Sequence, residues 1–421
     1  MKKTLRNLML AGTVVLLSYS TNAQSLVLTE SWKNTTNIPG EASGGEFRFA
    51  SAKEGKIIVT DKANKKIMTI DNNGMTELFD LTAAYDTHYG VDKIVVDEET
   101  QEESTVRELP IGGSGITVDD AGNILVGTSF AKGASSTDLI IISADLKETY
   151  KLKLNLPQGI SANRIDQYGK VVGNMLSNEG AYLWLAITAN TKVAIIKIAN
   201  GKQVQEYSQV SNAVKMAMNS STLVQPAIWN VDEIDALMDN KDFSPTFWSR
   251  NRGSSQLVYG WNENGSEQVE LKLTENSADG LTTKGAGAEG FATFKMSNIS
   301  YFVVPMSNDG YSRCGAIGIY DETGKLHATY NPEGVDNGMG QMGSIIVESI
   351  DEYSINIYRF IPGVVAYKCN FADISTGINE VEAVDNAKAV YYNLQGVEVE
   401  NPKNGVFIKV QGSKASKVIV K

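Results

Sequence analysis

Residues Gly112–Phe130 read Gly-Gly-Ser-Gly-Ile-Thr-Val-Asp-Asp-Ala-Gly-Asn-Ile-Leu-Val-Gly-Thr-Ser-Phe. A glycine approach leads into a short apolar run, then an Asp-Asp-Ala-Gly turn, then a second apolar run. Gly supplies positive φ and Asp bonds its own backbone, so the middle suits a tight turn and the flanks suit strands. Five other segments carry variants of the pattern: 47–60, 164–173, 214–224, 291–304 and 344–357. The match at 214–224 is the weakest. The turns centre near residues 54, 121, 168, 221, 299 and 352. Their spacing, about 60 on average, exceeds the roughly 40–50 residues of a compact propeller blade. Loops or insertions fill the difference.

A third strand follows several of these hairpins, at 66–71, 138–143, 193–198, 315–320 and 363–368. A fourth, more polar strand reads at 75–79, 148–152 and 326–330. Three or four antiparallel strands repeated about six times predict an all-β chain, a six- or seven-bladed β-propeller. Radial repetition protects sheet edges that a flat array would expose. Leu26–Trp32 is expected to return to the last blade and close the ring. An extra hairpin reads at 93–109. Between 221 and 299 lie a short helix at Val231–Asn240 and strands at 256–261 and 268–273, room enough for a seventh blade. A β-sandwich or a two-domain β protein is the alternative architecture.

The bulk numbers agree with a packed, turn-rich β protein. Hydrophobic residues make up 42% and charged residues 21%, and Gly (38) far outnumbers Pro (9). The formal net charge of −11 repels phosphate backbones, so nucleic acid is not an expected partner. Only two histidines occur, His88 and His327, and no two lie four apart, which excludes HExxH zinc chemistry. The two cysteines, Cys314 and Cys369, cannot build a four-cysteine metal site. They fall on strands of neighbouring blades, where an exported chain permits a disulfide that their unknown separation leaves open.

Residues 1–23 have the three parts of a secretory signal peptide. Lys2, Lys3 and Arg6 form the charged start, Leu8–Leu17 the apolar run, and Thr21-Asn22-Ala23 the small residues before cleavage. That run is too short for a permanent anchor, and no other stretch is long enough to be transmembrane. The expected layout is a signal peptide (1–23), a propeller (24–372), a linker (373–388) and a C-terminal β tail (389–421). The tail has three or four short strands with Gly turns, a small sandwich-like unit.

The repeat units, Ile116-Thr-Val-Asp-Asp-Ala-Gly-Asn-Ile-Leu-Val-Gly127 above all, with the Asp-x-x-Gly turn at Asp166–Gly169, resemble those of bacterial extracytoplasmic propellers of the NHL and gluconolactonase-like kind. That resemblance implies a family containing lactonases, lyases and interaction scaffolds. Its enzymes hold a divalent metal through Glu, Asn and Asp. Tyr392-Asn-Leu-Gln-Gly-Val397, Gly405-Val-Phe-Ile408 and Lys417-Val-Ile-Val-Lys421 resemble the C-terminal sorting domain of the type IX secretion system. By that resemblance the tail would engage secretion machinery and deliver the protein to the cell surface or outside. If the tail instead caps the propeller, the destination is the periplasm.

Several motifs weigh against chemistry. Gly285–Gly290 and Gly338–Gly343 match G-x-G-x-x-G, but a β pattern follows each where a nucleotide loop needs a helix. Asp97-Glu-Glu-Thr-Gln-Glu-Glu103 gathers carboxylates that calcium would suit, yet lacks EF-hand spacing, and reads as a solvated hairpin tip. Asp119 and Asp120 offer oxygens to a metal at a propeller mouth, or serve as ordinary turn residues. His88 beside Asp86 is an acid–base candidate, or a structural loop histidine. The irregular stretch 222–262 is the expected ligand site, through Trp229, Trp248, Arg250, Arg252, Tyr259 and Trp261. Aromatic faces stack on sugars and Arg donates hydrogen bonds, although such rings also serve as core.

The reading these residues favour is an exported, non-catalytic binding protein for a glycan or a surface protein. It needs no cofactor, apart from a divalent metal such as calcium if the resemblance extends to ligands. The competing reading is a propeller hydrolase or lyase using carboxylates and a metal.

Overall fold

A computed structural model of the chain describes residues 25–34, 50–61, 63–109, 112–128, 136–155, 168–187, 192–210, 222–226, 231–232, 234–235, 247–251, 256–261, 268–283, 291–296, 299–306, 316–333, 345–351, 353–360, 363–372, 389–393, 396–403, 405–411 and 414–420. Leu26–Asn370 form one compact unit, and the residues from Phe371 onward belong to a second.

The first unit is a six-bladed β-propeller. Its opening strand, β1 (Ser25–Asn34), belongs to the last blade. Blade one is β2 (Ala50–Lys53), β3 (Lys56–Asp61), β4 (Lys66–Asp71) and β5 (Gly74–Asp80). A helix, α1 (Thr82–Tyr89), and a hairpin, β6 (Val91–Val96) and β7 (Glu103–Glu108), follow. Blade two is β8 (Gly112–Val118), β9 (Ile124–Thr128), β10 (Ser136–Ile142) and β11 (Thr149–Asn155). Blade three is β12 (Tyr168–Gly173), β13 (Ala181–Ile187), β14 (Lys192–Ala199) and β15 (Lys202–Val210). Blade four is β16 (Thr222–Pro226), β17 (Phe247–Asn251), β18 (Leu257–Trp261) and β19 (Gln268–Lys272). Blade five is β20 (Ala292–Met296), β21 (Ile299–Pro305), β22 (Ile317–Asp321) and β23 (Leu326–Tyr330). Blade six is β24 (Ile345–Ser349), β25 (Ser354–Phe360), β26 (Val364–Ala372) and, outermost, β1.

The innermost strands define the ring. β2 touches β8, β8 touches β12, and the sequence continues through β16, β20 and β24 back to β2. Side chains alternate across each strand, so one blade feeds two interfaces. In blade two, Ile124, Val126, Ile140 and Ile142 pack with Ile58 and Ile67 of blade one. The intervening Leu125, Leu139 and Ile141 pack with Val171, Leu183 and Ile196 of blade three. With both faces buried, the middle strands read as continuous apolar runs rather than alternating ones.

Closure runs through blade six, as expected from Leu26–Trp32. β1 lies beside β26, with Thr29 Oγ1 donating to Lys368 O at 3.4 Å. Trp32 packs on Tyr358, ring centroids 6.2 Å apart. Glu348 of β24 reaches across to blade one, accepting from Gly55 N at 3.1 Å while Tyr358 Oη donates to it at 2.8 Å.

Two expectations change. Of the predicted turn at Asp166–Gly169, Tyr168 and Gly169 begin β12, and the blade-three hairpin turns at Asn174–Gly180. Gly173 and Gly180, both at positive φ (+102° and +80°), bracket that turn. The stretch 222–273 supplies four strands of blade four, with no separate seventh blade among the described residues. Of the expected helix at 231–240, residues 231, 232, 234 and 235 are helical. The hairpin centred near 221 lies largely outside the described residues, as do the leader 1–23 and the linker 373–388.

The second unit carries an antiparallel sheet of β27 (Val390–Tyr392), β28 (Gly405–Gln411) and β29 (Lys414–Val420), with Tyr392 also bridged to Glu398. Gly396 turns at φ +79°, donating to Asn393 O at 3.0 Å. No described helix is long and apolar enough to cross a membrane.

Candidate functional site

Of the six expected ligand residues, Trp248, Arg250 and Tyr259 have described side chains. Trp248 sits on β17 and is buried edge-on against Phe302, with centroids 4.8 Å apart. Tyr259, on β18, is 5% exposed. Arg250 is fully buried, and that burial, with Arg359 nearby, lowers its guanidinium to about 10. These three side chains face the blade interior rather than solvent. Trp261 ends β18, opposite Phe247. Trp229 and Arg252 lie outside the described residues.

Asp119 and Asp120 act as turn residues. Asp119 Oδ1 accepts from Ala121 N (3.0 Å) and Asn123 N (2.8 Å). Its Oδ2 accepts from Asn123 Nδ2 (2.9 Å) and from Met175 N in blade three (2.9 Å). Burial raises the carboxyl above its ordinary value, against the pull of these donors. Asp120 Oδ2 accepts from Gly173 N at 2.8 Å. Four N–H groups fill the Asp119 oxygens, so this residue does not suit a cation. Asp97 likewise holds its own turn, accepting from Glu99 N and Thr100 N at 2.9 and 2.7 Å. Among the described residues, no group of three or more His, Cys, Asp or Glu is set to hold a metal.

His88 lies on α1 rather than in a loop, and its Nε2 is 2.9 Å from Thr149 Oγ1. Asp86 is engaged elsewhere, with Arg107 Nε at 2.6 Å. His327 Nε2 is 2.7 Å from Asp321 Oδ2. Burial pushes the Asp321 carboxyl up, but hydrogen bonds from His327, Thr323 and Lys325 outweigh it, and the net shift is downward. A depressed carboxyl contributes stability that is present above its unfolded value, about 3.9, and lost as pH falls through the folded value. Acid titration of the unfolding midpoint should therefore show a loss below about pH 4 that is shallower in Asp321→Asn. Equal slopes for the two proteins would remove Asp321 from the account. Cys369, on β26, is a free buried thiol whose burial pushes it up to about 12. Cys314, the other cysteine of the pairing left open above, lies outside the described residues.

The glycine motifs at 285–290 and 338–343 also lie outside the described residues. The segments after them are β20 and β24, both innermost strands rather than helices.

A different site comes from the rim. The outer strands of blades two and three, β11 and β15, border a cleft of about 390 Å³ lined by Lys151, Lys153, Asn155, Lys202, Gln203 and Val204, among others. Its floor is tied by Gln203, whose Oε1 accepts from Asn155 N at 2.8 Å and whose Nε2 donates to Asn155 O at 3.1 Å. The amide side chain thereby imitates a strand ladder between blades. Lys151 is held by His88 O at the end of α1 (3.1 Å) and lies 4.4 Å from the Tyr89 ring centre. A cation there also complements the helix C-terminus. Lys153 and Lys202 point to solvent, and Val204 is 57% exposed. The signal was present in Thr149-Tyr-Lys-Leu-Lys-Leu-Asn155, whose period-two alternation puts both lysines on one face. What that pattern lacked was β15, about 50 residues on in a separate blade.

No protein-family model matches the chain, and no curated protein matches it. Among solved structures it is similar to a streptogramin B lyase, at 15% identity over 83% of this chain and 98% of that one, with a TM-score of 0.39. It is also similar to a DUF4623 family protein from Bacteroides eggerthii, at 10% identity over 83% of this chain and 76% of that one, with a TM-score of 0.47. The six-bladed ring itself is defined by its strand pairing and its inter-blade contacts.

Proposed function

We propose that the chain is an exported, non-catalytic binding protein of the cell envelope, and that its ligand is an anionic glycan. The observation that carries the ligand class is the lysine-lined cleft between β11 and β15, in a chain whose formal net charge is −11. A local cationic patch within an acidic field selects carboxylate or sulfate groups and rejects most other acidic surfaces. Lysine stems and exposed Val204 add apolar surface on which a sugar face can rest. The three-part leader supports export. The tail's likeness to a sorting domain supports delivery to the surface through secretion machinery.

The test uses the full chain with polygalacturonate as the anionic probe and dextran as the neutral one. At a hundred times Kd the anionic polymer should stabilise the fold by about 2.7 kcal/mol. Lys153→Glu combined with Lys202→Glu should weaken binding by about tenfold or more, equivalent to at least ~1.4 kcal/mol. Raising ionic strength should weaken it further, because both groups are exposed. Undiminished binding by the double variant, or equal binding of dextran, would remove this site.

A further inference from the structure

The hairpin of β6 and β7 is built unlike the rest of the ring. All of its twelve strand residues are exposed. Among the described residues it forms a sheet of its own, with both strands as edges. At about 3.3 Å per residue its arms extend some 20 Å. A two-stranded hairpin without a core is marginal in water. Yet this one is rich in branched aliphatic residues: Val91 is 62% exposed, Ile94 64%, and Val95, Val96 and Val106 between 42% and 49%. Register places Val91, Val95 and Val106 on one face, and Ile94 and Val96 on the other. Neither set is buried by the propeller.

Its base is fixed and its tip is acidic. Arg107 bonds Asp86 of α1 (2.6 Å) and Asp92 of β6 (3.0 Å), which pins the arm where it leaves the blade. Between residues 91 and 108, seven carboxylates face two cations. Asp97 is occupied in its own turn, and Glu98, Glu99, Glu102 and Glu103 form an exposed anionic tip.

We propose that this hairpin is a docking edge for a protein partner, which adds an extended, β-branched segment flanked by Lys or Arg to the open side of the β6–β7 sheet. Main-chain hydrogen bonds supply the affinity of such strand addition, and alternate side chains supply its selectivity. On each face the exposed apolar residues then gain β-branched cross-strand neighbours from the added segment. The anionic tip selects a basic flank and rejects a second copy of this chain, which would bring like tips together.

The test uses the full chain and three labelled peptides read by fluorescence anisotropy. One is Lys-Lys-Val-Thr-Val-Thr-Val-Lys-Lys, one has Glu in place of every Lys, and one is a scrambled basic sequence with Pro inserted. The first should bind and the other two should not. Ile94→Ser with Val96→Ser should weaken binding about tenfold, and so should Glu98→Lys with Glu99→Lys. Both pairs lie on exposed positions, and an unchanged unfolding midpoint would confirm that the ring is intact. On binding, amide exchange should slow in residues 91–108 and not elsewhere. Absence of binding, equal binding of the Glu peptide, or undiminished binding after residues 91–108 are replaced by a short Gly-Ser link would overturn the proposal. So would a concentration-dependent dimer that Ile94→Ser abolishes, since that would make a second copy the occupant.

Discussion

Deleting residues 25–34 should abolish cooperative folding of the propeller. The segment is the outer strand of blade six and, among the described residues, the one strand of that blade drawn from the start of the ring. Without it, the main-chain groups of β26 that face β1 lose their partners, each net hydrogen bond being worth about 1 kcal/mol. Leu26, 7% exposed, and the half-buried Trp32 lose their burial, at about 1.5–3 kcal/mol for a fully buried large side chain. The combined loss is on the order of 5–10 kcal/mol, comparable with the whole stability of a typical domain. Urea unfolding followed by circular dichroism should show a broad, early transition in place of a sharp one. Trp32→Ala alone should cost about 2 kcal/mol through its contact with Tyr358. A deletion protein with an unchanged midpoint would mean that the ring holds without this latch.

Asp119→Ala should cost about 3–5 kcal/mol, far more than its neighbour. Asp119 is 5% exposed and satisfies four N–H groups, one of them in the next blade. Hydrogen bonds to a charged acceptor contribute about 1.5–3 kcal/mol each, and the buried donors left behind add desolvation penalties. Asp119→Asn should be intermediate, because its amide presents a donor where an acceptor stood. Asp120→Ala should cost only about 1 kcal/mol, since Asp120 is exposed and its carboxylate accepts one described hydrogen bond, from Gly173 N. Midpoints from chemical denaturation of the three variants check the order. If Asp120→Ala were as severe as Asp119→Ala, the turn's hold on blade three would lie in the backbone and not in the buried carboxylate.

The blades were legible because burial on both faces turns each middle strand into an unbroken apolar run. Ile57-Ile58-Val59, Leu139–Ile142 and Ile195-Ile196 all announce themselves in this way. The closing strand was legible for a different reason, as a short apolar segment at 26–32 with no hairpin neighbour of its own. Register was harder. Tyr168-Gly169 carries turn residues yet begins a strand, because the pairing that decides it is with Ala181–Ile187. In blade four, Trp248 and Tyr259 looked like a ligand platform because they are large and close in sequence. The pleat sets their direction, turning Trp248 onto Phe302 of blade five and Tyr259 to the opposite face, which composition does not reveal. The lysine cleft was missed for the converse reason. Its two walls are separate strands that only ring packing brings together. The exposed hairpin, in contrast, could be read directly, since its acidic tip and alternating arms are local.

The order in which the ring is assembled has a consequence for time. About 330 residues lie between Asn34 and Val364, so β1 and its neighbour β26 form one of the longest-range pairings a chain of this size can make. At about 5–20 residues per second, a strand completed early waits roughly 15–70 s for β26 to be synthesised. Until that pairing forms, β1 is an unpaired edge, and the blades synthesised after it lack their last neighbour. Folding of this protein should thus be limited by a late joining of first to last, and a circular permutant that places residues 25–34 directly after residue 372 should reach the native ring faster while ending at much the same stability.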